Sequence, residues 1–218
     1  MKYDMPFTKE YFEEYARLLL NDTFNLNLIH HQERYNEDRP DLISLDEKIG
    51  VEVTNALNEL GGRQNKLFQQ IYPIENRKAI IIKEAERLGI KENLHFSEDV
   101  AYLSEDYISA DKIKILADRI NTKLDKLNST EFHKYKFNAL FVNAFDYFQD
   151  DITKFLENYQ NYINNYPINY DYIFIFNCDG LFFVNNNEYT IKMYDETKLS
   201  SYKDKSLQYA KLILNKWQ

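Results

Sequence analysis

The chain has 218 residues, of which 44% are hydrophobic and 28% charged, a composition that suits one folded domain and excludes a disordered tail. Its five Gly and four Pro exclude collagen-like and low-complexity classes and argue against a many-turned all-β sandwich. The net charge of −8 excludes a global basic footprint, so any nucleic-acid function needs a local positive surface.

Thr8 to Leu20 predicts a helix, because Thr8 can cap it and Tyr11, Tyr15, Leu18 and Leu19 recur at helical spacing. Phe24, Leu26 and Leu28 alternate with Asn25 and Asn27, which predicts a short strand or extended arm. A polar connector over 30–39 follows. Pro40 to Thr54 has the shape of a hairpin, with arms over 42–45 and 49–54 and a turn at Asp46-Glu47-Lys48. Helices are predicted over 63–72, 74–88 and 110–127, the last with Ile113, Leu116, Ala117, Ile120, Leu124 and Leu127 on one face. A buried strand over 137–145 and an amphipathic helix from Ile152 to Ile163 come next. Strands over 172–176 and 181–184, a possible third over 189–193 and a closing helix over 201–217 complete the chain.

This order predicts a mixed α/β (α+β) single domain over 1–218, with one central mixed sheet covered by helices. Residues 170–218 are expected to complete or extend that sheet. The first residues, Met1 to Pro6, lack the apolar stretch of a secretory signal, and no apolar run approaches the ~20 residues that span a bilayer. The only cysteine, Cys178, cannot form an internal disulfide and reads as a buried strand residue. A cytoplasmic protein without a membrane partner is expected.

The residues that carry chemistry lie in the hairpin. Asp41 opens the first arm and Glu52 sits inside the second, between Val51 and Val53, so the ladder can bring the two acids side by side. A carboxylate in an apolar strand is costly if its face is buried without a partner. Two neighbouring carboxylates repel, and a Mg²⁺ held by both would resolve that conflict, activate water and stabilise charge on a phosphate. The bland alternative is a wet sheet face, with Glu52 pointing at solvent and Asp41 serving as a turn residue.

Pro40-Asp41, a short turn and then Gly50-Val51-Glu52-Val53-Thr54 resembles the core motif of the PD-(D/E)XK nuclease superfamily, whose pattern is Asp, a variable spacer and Asp/Glu-x-Lys. The resemblance is sharp over 39–54 and extends, as an order of elements, over about 8–145. It implies a restriction-endonuclease-like domain and a metal-dependent phosphodiesterase acting on nucleic acid (DNA ahead of RNA), in restriction, anti-phage defence or repair. It also implies Asp41, Glu52 and the carbonyl of Val53 as ligands of Mg²⁺ or Mn²⁺. A second copy or another protein is a further possible partner. The family lysine falls at position 54, where this chain has Thr54. A Thr hydroxyl can orient water but carries no positive charge. Lys66, in the helix after the motif strand, is the substitute considered, with Gln69 as a weaker echo of the family's polar helix. Glu13 and Glu33 are candidate accessory acids. The alternative reading is a nuclease fold that has lost cleavage and serves as a nucleic-acid-binding or protein-interaction module.

Other signals carry less. His30, His31, His95 and His133 form no zinc spacing. Lys112, Lys114, Arg119, Lys123 and Lys126 are interleaved with Asp111, Asp118 and Asp125, which reads as a solvated salt-bridge face. Tyr159, Tyr162, Tyr166, Tyr170 and Tyr172 read as core and rim packing in place of base stacking.

Overall fold

The structure, a computed structural model, describes residues 8–31, 38–56, 77–87, 89, 91, 94–97, 100–103, 112–145, 147–177, 180–185 and 188–216. The first helix, α1 (Lys9–Phe24), begins where Thr8 caps it, the Thr8 hydroxyl accepting from the Tyr11 N–H at 3.3 Å. It ends because Asn25 takes a left-handed conformation, with φ 55°, and Asn27 repeats this at φ 53°. The predicted alternation over Phe24–Leu28 therefore fails. Phe24 closes the helix, and strand β1 starts only at Leu28 (Leu28–His30). The Asn21 side chain clamps this corner, accepting from the Leu28 N–H at 2.6 Å and donating to the Leu28 carbonyl at 3.0 Å.

The hairpin forms over the expected residues as β2 (Leu42–Ser44) and β3 (Ile49–Asn55), paired antiparallel with Leu42 opposite Val51 and Ile43 opposite Gly50. Asp46 shapes the turn. Its carboxylate accepts from the Ser44 hydroxyl and the Lys48 N–H, and with Lys48 beside it the group is pulled down to about 2. Gly50 is required by close approach, because a Cβ there would stand 2.6 Å from both Pro40 Cγ and Tyr135 Cδ2. Those two rings cover the strand and fix the chain where Asp41 begins.

After helix α2 (Arg77–Arg87) a separate two-stranded hairpin forms from β4 (Leu94–Ser97) and β5 (Val100–Leu103). Then come α3 (Lys112–Asn128), β6 (Phe137–Asn143), α4 (Gln149–Glu157), α5 (Tyr159–Tyr162), β7 (Tyr172–Phe176), β8 (Gly180–Asn185), β9 (Glu188–Met193) and α6 (Glu196–Lys216). The helix expected across Ile152–Ile163 is divided at Asn158 into α4 and α5. The closing helix starts five residues before the expected Ser201, because the Asp195 carboxylate accepts from the Lys198 N–H at 2.8 Å and caps the first turn.

The main sheet has seven strands in the order β1-β2-β3-β6-β7-β8-β9. β3, β6 and β7 are mutually parallel, and the outer pairs are antiparallel. The result is a single α+β domain with a mixed sheet, and the C-terminal strands extend it as expected. Period-two alternation sorts β3 between two cores. Val51 and Val53 join Phe141, Phe174 and Phe176 against α1 and α6. On the other face Leu140, Val142, Ile173 and Ile175 pack against Leu116, Ile120, Leu124 and Phe155. Glu52 is turned toward this second core, on the side of α3. Among the described residues no helix is long and apolar enough to cross a membrane.

Candidate functional site

The sequence leaves open whether Glu52 is solvated. The structure buries it to 1% exposure. Its Oε1 accepts from Lys123 Nζ at 2.6 Å and Lys126 Nζ at 2.9 Å, both reaching down from α3. Its Oε2 is buried with no hydrogen-bond partner. Lys126 also meets Asp38 Oδ1 at 3.0 Å. Burial works against the Lys126 charge, but Glu52 and Asp38 outweigh it and raise its pKa. The reading of these α3 lysines as a solvated salt-bridge face is thus corrected at Lys123 and Lys126, whose side chains are only 22% and 26% exposed.

Asp41 sits at a bend immediately before Leu42, whose partner in the ladder is Val51. Its Oδ2 accepts from the Val53 N–H at 2.8 Å, and its Oδ1 meets Lys9 Nζ of α1 at 3.0 Å. Burial opposes the Asp41 charge, but Lys9, the Val53 N–H and the field of Lys123 outweigh it and hold the carboxyl below its ordinary range. Lys123 therefore acts on both acids, in contact with Glu52 and through space on Asp41. Tyr170 supports this arrangement: its hydroxyl donates to the Lys123 carbonyl at 3.0 Å. Burial, then the charges of Glu52, Asp41 and Asp38, push the Tyr170 hydroxyl up and keep it a donor.

Glu13 completes the acidic group from α1. Lys9 Nζ lies 3.2 Å from its Oε1. Burial, with the Asp41 charge beside it, pushes the Glu13 carboxyl up to about 8 despite Lys9. Of the two neighbouring acids, Glu13 is thus the one on which a shared proton is favoured. Behind it, Glu14 forms two bonds to Arg17 at 2.7 and 2.8 Å and one to His30 Nε2 at 2.7 Å. The His30 ring stacks on Tyr209 of α6, with centroids 4.5 Å apart. His30 is thereby held by a carboxylate and a ring, and its Nδ1 is 3.8 Å from Glu13 Oε2.

The structure thus sets Glu13 and Asp41 together around Lys9, with Asp41 on the Val53 N–H, while Glu52 lies under α3 with Lys123 and Lys126. Thr54, two residues beyond Glu52, shares its strand face. Glu33, Lys66, Gln69, Cys178 and the helix over 63–72 lie outside the described residues. Nothing in the local sequence marks Lys9, and Lys123 and Lys126 read there as solvated charges. The available signal was their three-residue spacing on the flank of an amphipathic helix, away from Asp118 and Asp125.

The donors are hard oxygens suited to Mg²⁺ or Mn²⁺, and the unpartnered Glu52 Oε2 is the atom that such an ion would satisfy. Among the described residues, however, no three His, Cys, Asp or Glu side chains form a ready-made metal-holding group. In this state lysines neutralise the acids. Comparison of the chain with known protein families, with curated proteins and with solved structures gives no match.

Proposed function

We propose that the chain is a metal-dependent phosphodiesterase of restriction-endonuclease-like fold that acts on nucleic acid, with its site at Asp41, Glu52 and Lys123. The observation that carries this reading is the buried Glu52, gripped on one oxygen by two lysines and unpartnered on the other, next in the chain to Val53, whose N–H holds Asp41. The mixed sheet flanked by helices, and the preceding helix that carries Glu13, support the same reading.

Asp41 and Glu52 would hold the divalent cation, which would supply an activated water and offset phosphate charge. The chain's own groups do the rest. The Val53 N–H and Lys9 fix the Asp41 carboxylate in place. Lys123 brings to Glu52 the ammonium that the motif would carry at position 54, where this chain has Thr54. That charge is placed to stabilise the excess negative charge of a pentavalent phosphate. Glu13 shares Lys9 with Asp41 and helps to position it.

A second reading, a nuclease fold without cleavage that binds nucleic acid or protein, is favoured by the lysine-neutralised state of the acids. One assay separates the two. Labelled single-stranded, duplex and branched DNA and RNA are incubated with the protein in Mn²⁺ or EDTA. We expect Mn²⁺-dependent products from the wild type and at least a 10³-fold loss with Glu52→Gln. Cleavage that survives EDTA, or that is equal in the variant, contradicts the proposal, and absence of cleavage across the panel favours the second reading.

A further inference from the structure

We propose that the cationic flank of α3, with the exposed Phe148 ring at its outer end, forms a track for an unpaired nucleic-acid strand that leads into the Asp41–Glu52 site. The proposal rests on the reading above and names its substrate class. Lys112, Arg119, Lys123 and Lys126 fall within an arc of about 60° on α3 and extend over about 21 Å of its axis. Asp118 and Asp125 fall outside that arc, and Asp125 is taken up by the Tyr166 hydroxyl at 2.8 Å. The core-facing residues Leu116, Ile120, Leu124 and Leu127 are buried beside this stripe, so it runs along the flank of the helix where helix meets sheet. The opposite flank is closed: Asn121 and Asn128 bond the 162–168 segment through Tyr162, Asn164 and Ile168.

At its inner end the stripe reaches Glu52 through Lys123 and Lys126. At its outer end Lys112 Nζ lies 5.0 Å from the centroid of the Phe148 ring and 3.9 Å from Asp151 Oδ2. Phe148 is 72% exposed and Phe145 is 50% exposed. Phe145 packs against the buried Phe176 ring, with centroids 6.3 Å apart, on the α1–α6 side of the sheet, which leaves Phe148 as the ring beside α3. Both follow the carboxyl end of β6, where ligands of parallel strands gather. An exposed aromatic face beside cations is what a single strand requires, with phosphates on the outer Arg119 and Lys112 and a base stacked on Phe148. A duplex cannot use the ring, because its base faces are already covered. A local track of this kind also reconciles a nucleic-acid ligand with the net charge of −8.

The test is fluorescence anisotropy in EDTA with labelled oligothymidylate, oligouridylate and a DNA duplex, at several salt concentrations. We expect either single strand to bind ahead of the duplex. Phe148→Ala should weaken binding about tenfold. Arg119→Ala should weaken it severalfold and flatten the salt dependence by about 0.7 in log–log slope. Both residues are exposed, so both variants should fold. Duplex binding equal to that of the single strands, no strand binding, or wild-type affinity in both variants would overturn the track. Because this assay needs neither cation nor cleavage, its failure leaves the phosphodiesterase reading standing, and absence of cleavage leaves the track standing.

Discussion

Replacing Lys123 by alanine is expected to lower phosphodiester cleavage about 10²–10³-fold, the usual cost of removing one preorganised charge from a reaction centre. The corresponding loss in Lys126→Ala should be smaller, because Lys126 divides its charge between Glu52 and Asp38. Stability should fall in both variants without unfolding, since each leaves one lysine on the buried Glu52 oxygen. The sharper result comes from moving the charge. Thr54 follows Glu52 by two residues on the same strand face, so Thr54→Lys sets an ammonium at the position the motif prescribes. In the Lys123→Ala background, Thr54→Lys should recover about tenfold of the lost rate in single-turnover assays. Wild-type rates in Lys123→Ala would remove Lys123 from the mechanism.

The second large effect belongs to Asp41. Asp41→Ala should destabilise the protein by about 2–4 kcal/mol at pH 7 in urea denaturation, since it leaves the Val53 N–H without its acceptor and removes one of the two carboxylates on Lys9. Its pH dependence has a definite sign. The Asp41 carboxyl is held below its ordinary range in the fold. Its contribution is therefore present above about pH 4 and is lost as pH falls through the folded value, so wild type and variant should converge in acid. Relieved of the Asp41 charge, Glu13 should titrate below its present value of about 8. A gap that stays constant down to strong acid would show that the Asp41 charge contributes nothing.

Much of this architecture is written in local pattern. Thr8 announces α1, and the apolar arms around Asp46-Glu47-Lys48 announce the hairpin. The single acid between Val51 and Val53 marks β3 as a strand with chemistry on one face. What local pattern withholds is whatever another element decides. Nothing near Glu52 in sequence reveals that Lys123 and Lys126, more than seventy positions later, will lie on it. On α3 those lysines alternate with acids and look solvated. Only the parallel crossover from β3 to β6 lays that helix over the sheet. The end of α1 was obscured for a different reason. Asn25 and Asn27 form the polar half of an apparent alternation, whereas their left-handed backbones end the helix. The buried strand expected over 137–145 stops at Asn143, because the chain leaves the sheet there and turns Phe145 and Phe148 out to 50% and 72% exposure.

The account depends on Asp41 and Glu52 acting together on one divalent ion. Electron paramagnetic resonance of Mn²⁺ titrated into the wild type, Asp41→Asn and Glu52→Gln tests this most directly. We predict one bound Mn²⁺ per wild-type chain and its loss in each variant alone. Wild-type protein that leaves the free Mn²⁺ signal unchanged, or variants that bind as the wild type does, would contradict it.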